Sequence, residues 1–167
     1  MSDTAMKNFI ELMSEMRRTG SRPKARWRYH SVEDFLLAHG RQWPARPKPR
    51  GVKYGRIKEC FRNAFILAEA HEGEGWTYVE GYAGRAIPVH HAWAVDAAGN
   101  VVDNTFRPSK FLPDADDYFG VAFTLDYVRR FTLRSGTWGL LFNMDGDWSY
   151  MIDDSARVVH PAWRREA

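Results

Sequence analysis

The segment from Val89 to Thr105 constrains this chain more than any other, because it reads as two strands joined by a turn of odd length. Val89-His-His-Ala-Trp-Ala-Val-Asp96 and Asn100-Val-Val-Asp-Asn-Thr105 are rich in β-branched and aromatic residues, and Gly99 stands between them. A type I turn that ends in a left-handed glycine with a bulge makes a three-residue hairpin loop. Side chains alternate along a strand, so His91, Trp93 and Val95 share one face, and Val101, Asp103 and Thr105 share one face of the partner. A three-residue loop puts His91 opposite Asp103 and a five-residue loop puts them diagonal. Both place the two side chains on one face and within reach, whereas an even loop separates them. His90 points to the other face.

The only cysteine lies upstream, in Lys58-Glu-Cys-Phe-Arg-Asn-Ala-Phe65. A helix is predicted from Glu59 to about His71, with Cys60, Ala64, Leu67 and Ala68 on one face and Phe61 and Phe65 beside them. Cys60 then sits in the opening turn, where free amides and the helix dipole favour an anion. Lys58 and Arg62 act in the same sense and Glu59 against it. Taken singly, Cys60 reads as a small buried hydrophobe, His91 as a core histidine and Asp103 as a turn cap. Taken together, a thiol, an imidazole and a parity-matched carboxylate point to a nucleophile, its base and the group that orients the base. The chain has no Cys-x-x-Cys or His-Glu-x-x-His spacing, no phosphate loop and no dinucleotide glycine fingerprint, so neither metal nor cofactor is expected.

Around this centre the chain reads as one domain of 167 residues. Met6, Phe9, Ile10, Met13 and Met16 recur at helical spacing within residues 4–18. Lys24 to His30 reads as an extended arm or short strand. Ser31-Val-Glu-Asp34 resembles a capping box for a short helix that Gly40 ends. Pro44, Pro47 and Pro49 lie among Arg41, Arg46, Lys48, Arg50 and Lys53, which predicts a surface connector over 41–53. Thus residues 1–53 are expected to form helices and a basic connector packed on a body of residues 54–152, with 153–167 a tail. A strand is predicted over Trp76–Ala83. Thr124 is expected to cap a helix that carries Leu125, Val128 and Phe131, while Gly139–Phe142 and Ser149–Ile152 read as buried segments of undefined type.

Charge is unevenly spread. Residues 17–58 hold thirteen Lys and Arg against Glu33 and Asp34, and residues 59–167 hold ten against sixteen acids. Either the basic segment docks on the acidic body, or Arg46, Lys48 and Arg50 contact nucleic acid or another acidic partner. A lone cysteine makes no intrachain disulfide, and the first residues lack the basic and apolar regions of a secretory signal. With no apolar run near the ~20 residues that span a bilayer, no membrane partner and a cytoplasmic location are expected.

The matched residues resemble the transglutaminase-like branch of the papain-like cysteine enzymes. That family shows a helix-opening Cys, a strand beginning His-Ala-Trp and a strand ending in Asp-x-Thr, here Cys60, His91-Ala-Trp93 and Asp103-Asn-Thr105. The pattern is also similar to small bacterial and phage proteins with a Cys-x-x-Asn-Ala motif, here Cys60 to Ala64, followed by Val79-Glu-Gly-Tyr82. The likeness covers residues 55–106. Glu59 precedes the cysteine, where transglutaminases usually carry Trp after a Gly before or beside it, and Asn104 stands in the place of a proline. The resemblance implies an α+β fold in which the cysteine helix packs on an antiparallel sheet that holds His91 and Asp103. It also implies acyl transfer from an amide of a protein or peptide, with the Cys60 amide as half of an oxyanion hole. Tyr54 is the candidate second donor, and Glu80, Tyr82 and Trp93 are candidate cleft residues.

Overall fold

The computed structural model describes residues 3–20, 26–84, 87–107, 117–143 and 149–152. The tail expected over 153–167 lies outside them. The chain folds as α+β: helices α1 (Asp3–Gly20), α2 (Val32–His39), α3 (Cys60–Ala70) and α4 (Leu125–Ser135) accompany strands β1 (Arg41–Trp43), β2 (Thr77–Gly84), β3 (Val89–Val95), β4 (Val101–Val102) and β5 (Asp117–Phe123). The strands form one antiparallel sheet in the order β1-β5-β2-β3-β4. None of the helices among the described residues is long and apolar enough to cross a membrane.

Local chemistry sets the helix ends. Ser31 caps α2 by accepting from the Asp34 amide at 3.1 Å, and Thr124 caps α4 by accepting from the Tyr127 amide at 3.3 Å. Gly136, with φ of 68°, closes α4. In α1, Met6 and Ile10 are buried and Ser14 continues their row, whereas Met16 is 59% exposed and not part of the expected core stripe. Ser14 and Arg18 both reach the Asp34 carboxylate, at 2.5 and 2.9 Å, and tie α1 to the first turn of α2.

The sheet has two differently used faces. Tyr78, Tyr82, Ala92, Ala94, Phe119, Val121 and Phe123 pack against residues of all four helices in the main core, and α3 contributes Ala64, Phe65, Leu67 and Ala68. On the opposite face Val79, Trp93, Val95, Val101, Tyr118, Ala122 and Trp43 form a second cluster, joined by Phe106. Trp43 corrects the expectation of a wholly surface connector over 41–53. Arg41–Trp43 pairs with β5 as an edge strand, and the Trp43 indole donates to the Gly120 carbonyl at 3.0 Å. Three residues before the prolines are too few for a periodic signal to register.

Gly81 and Gly120 are partners across β2 and β5. A Cβ on Gly120 would lie 2.4 Å from the Glu80 carbonyl and 2.8 Å from the Trp93 ring, so this glycine is where the indole rests on the sheet. Gly120→Ala should cost about 1–3 kcal/mol by forcing backbone and ring apart. A urea midpoint indistinguishable from wild type would contradict that packing.

Candidate active site

The hairpin expected between Val89 and Thr105 forms with the odd count. Val95 pairs with Val101, leaving five residues between the strands, and the turn closes with the Gly99 amide on the Asp96 carbonyl at 2.9 Å. Gly99 takes φ of 82°. His91 and Asp103 are therefore diagonal neighbours, and the imidazole Nε2 meets Asp103 Oδ2 at 2.7 Å. The pairing stops at Val102, and the chain then turns on Asp103, whose Oδ1 accepts from the amides of Thr105 and Phe106 at 2.7 and 3.1 Å.

Asp103 Oδ2 also accepts from the Tyr118 hydroxyl at 3.0 Å. All four of these bonds come from donors, which suits a carboxylate and no neutral isostere. Burial pushes the Asp103 carboxyl up, but the hydrogen bond and charge of His91 and the two amides outweigh it and leave it below its usual value. Burial likewise drives the His91 proton off. Hydrogen bonds to Asp103 and to the Cys60 sulfur, reinforced by their charges, reverse this and raise the imidazole to about 9. Since Nε2 is taken by Asp103, Nδ1 is the atom left for sulfur. The ring is 3% exposed and stacks on Phe106 at 4.0 Å between centroids with 14° between planes.

Cys60 is the first residue of α3 and is half-buried. The body of α3 packs on the main-core face of the sheet, while His91 lies on the other, so it is the opening residue of the helix that comes to the ring. Lys58, two residues earlier, adopts φ of 67°, a left-handed conformation that costs a non-glycine residue on the order of 1–3 kcal/mol. The loop so bent is held by Asn63, whose amide donates to the Arg56 carbonyl at 2.7 Å and the Thr105 hydroxyl at 2.9 Å. Gly55 makes room for it, since a Cβ there would lie 2.3 Å from the Asn63 side chain. Asn63→Ala should leave a carbonyl and a hydroxyl short of a donor and cost about 1–3 kcal/mol. It should also speed amide exchange over 55–60, and unchanged exchange there would argue against Asn63 as the clamp.

Several expected site residues lie elsewhere. Glu80 is not in a cleft: it is fully buried, accepting from the Leu140 and Leu141 amides at 2.6 and 2.9 Å and from the Tyr78 hydroxyl. Tyr82, 2% exposed, donates to Glu33 at 3.2 Å and meets His90 at 2.9 Å, so it too is core. Trp93 has no exposure and fills the second cluster. All three sit on β2 or β3, and covering elements far away in sequence bury them. Tyr54 is 39% exposed, with Lys48 and Arg107 over its ring at 4.6 and 5.2 Å, and no described contact brings its hydroxyl to Cys60. Tyr118, Phe106 and Asn63 carry parts of the site that the residue pattern alone did not single out. The aromatic alternation of Asp117–Phe123 was the available signal for Tyr118.

In the basic segment, Arg17 and Arg18 pair with Glu33 and Asp34 at 3.9 and 2.9 Å. Lys48 donates to the Pro49 and Val52 carbonyls, while Arg46 and Arg50 are exposed. The basic segment thus answers its own two acids before it meets the acidic body. Comparison of the chain with protein-family models, curated proteins and solved structures finds no match.

Proposed function

We propose that Cys60, His91 and Asp103 form a thiol-dependent acyl-transfer centre on a fold of the transglutaminase-like, papain-like kind, acting on an amide of a protein or peptide. The observation that carries this reading is the His91 ring, bonded at Nε2 to the Asp103 carboxylate and near enough to the Cys60 sulfur for that sulfur to help hold its proton. In this scheme Cys60 sulfur attacks the carbonyl carbon, and the C=O electron pair moves to oxygen, near the free amide of the first helical residue. As the C–N bond breaks, imidazolium His91 gives its Nδ1 proton to the departing amine. Water or an amine then attacks the thioester carbon, His91 takes a proton from it, and as the C–S bond breaks the sulfur leaves as thiolate beside the re-formed imidazolium. Asp103 keeps the imidazole oriented throughout and favours the charged ring whenever it holds the proton.

The test needs no substrate. Iodoacetamide should alkylate Cys60 in the folded protein at neutral pH, and mass spectrometry would locate the adduct. A sulfur that reacts only after denaturation would remove the thiol reading.

A second reading, a binding protein that meets nucleic acid or an acidic partner through its basic segment, draws on the exposure of Arg46 and Arg50. Neither has an ion-pair partner among the described residues. Binding to duplex DNA should then fall linearly on a log-log plot against salt, with a slope of roughly −0.9 per phosphate neutralised. The variant Arg46→Gln/Arg50→Gln should flatten that slope and leave Cys60 alkylation unchanged.

A further inference from the structure

A cleft of about 630 Å³ opens at the start of α3, lined by Arg56, Lys58, Glu59, Phe61 and Arg62 together with Thr137 and Trp138. The residues on either side of Cys60 line it while Cys60 itself does not, so an occupant of the cleft lies a short step along the chain from the group that Cys60 attacks. Its walls differ in character. One wall carries three cations and a single acid. The other carries the indole of Trp138, 37% exposed and resting on Phe65 with ring centroids 5.3 Å apart. We infer that this cleft is the subsite for an acidic side chain of the substrate, one or two residues from the amide that Cys60 attacks.

The charge pattern supports an anion and the aromatic wall supports a side chain with an apolar stem. Glu59 answers Arg62 at 3.1 Å and Arg56 at 3.6 Å, so one carboxylate is shared between two guanidiniums, and Lys58 has no ion-pair partner among the described residues. Arg56 is exposed and Glu59 and Arg62 are half-exposed, and ion pairs this open to solvent contribute little, so a guanidinium exchanges one carboxylate for another at small cost. Guanidinium forks match carboxylate geometry. The aromatic wall is held in place from below. Gly139 takes φ of 92° with its Cβ position 3.2 Å from the Phe61 ring, and the next two amides are those bound by buried Glu80. A glutamate with its two methylenes along the indole fits both walls.

The inference rests on the thiol reading, and one experiment separates the failure of each. Cys60 is alkylated in parallel with anionic iodoacetate and neutral iodoacetamide, with N-acetylcysteinamide as the free-thiol reference. The rate ratio cancels the thiolate population and reports only the charge around the sulfur. A net excess of two positive charges should raise the iodoacetate-to-iodoacetamide ratio about fivefold over the reference at low salt. The excess should vanish as salt rises from about 0.01 M to about 1 M, where the screening length shrinks from about 30 to about 3 Å. The variant Arg56→Gln/Lys58→Gln/Arg62→Gln should bring the ratio to or below the reference. Acetyl-Ala-Glu-Ala amide should protect Cys60 from iodoacetamide at lower concentration than acetyl-Ala-Gln-Ala amide. A ratio equal to the reference in wild type, or equal protection by the two peptides, overturns the acidic subsite while leaving the thiol centre standing. Failure of both reagents on the folded protein overturns the thiol centre and the subsite with it.

Discussion

His91→Ala should slow alkylation of Cys60 at pH 7 by about tenfold or more, and should lower turnover of any amide substrate by about 10²–10⁴-fold, the usual worth of a general acid–base group. In the proposed centre the imidazole bonds the orienting carboxylate and interacts with the Cys60 sulfur, so its loss would remove the cation beside the nucleophile and the proton donor for the leaving amine together. The pH dependence follows from the same contacts. Burial lowers the His91 value and the bonds to Asp103 and Cys60 raise it to about 9. The folded-state value therefore lies above the ordinary 6.5, so the stabilisation from the charged ring is fully present below about pH 6.5 and is lost as pH rises through about 9. Turnover that needs the imidazolium should decline over that upper limb. Asp103→Asn should move the decline to lower pH, because an amide holds the ring proton less well and must turn its NH₂ toward either the His91 and Tyr118 donors or the Thr105 and Phe106 amides. Equal alkylation rates for wild type and His91→Ala would leave His91 a core histidine.

Glu80→Ala should be the most destabilising single change in the sheet, by about 3 kcal/mol or more. It strands the buried Leu140 and Leu141 amides and the Tyr78 hydroxyl together, at about 1–3 kcal/mol for each unsatisfied group, before any cavity is counted. Glu80→Gln keeps the volume but offers one acceptor where two amides point, so it should lie between wild type and alanine. Here the pH sign is opposite to the usual carboxylate. Burial raises Glu80 to about 7 against the pull of the Leu141 and Leu140 amides and the Tyr78 hydroxyl. The folded state thus holds its proton where the unfolded chain has released it, and the Glu80 contribution falls as pH rises from about 4.5 to 7 and is flat beyond. Urea unfolding at pH 5 and pH 7.5 checks this: the stability gap between wild type and Glu80→Gln should narrow at the higher pH. A gap that widens would mean that Glu80 is ionised in the fold with its charge well compensated.

Local rules were enough for much of the site. The alternation of side chains along β3 and through β4 to the residue after it, with a glycine able to take positive φ at 99, puts His91 and Asp103 on one face, because strand parity survives a change of loop length by two. The caps at Ser31 and Thr124 and the opening of the cysteine helix near Glu59 depend on hydrogen bonds within one turn, and sequence spacing carries them. What the chain pattern could not decide was which side of the sheet would be covered. Glu80, Tyr82 and Trp93 are expected in the cleft on the strength of the family resemblance. Yet Leu140 and Leu141 arrive from sixty residues away to bury Glu80, α2 supplies Glu33 to Tyr82, and Trp43 and Tyr118 close over Trp93. Those contacts are long-range, and their energy depends on the packing of elements whose own periodicity is weak. The fourth donor to Asp103, the Tyr118 hydroxyl, and the stacking of Phe106 on His91 belong to the same class. A sequence read in order can set a side chain's face, but only the assembled layers determine whether that face meets solvent, a partner or another core.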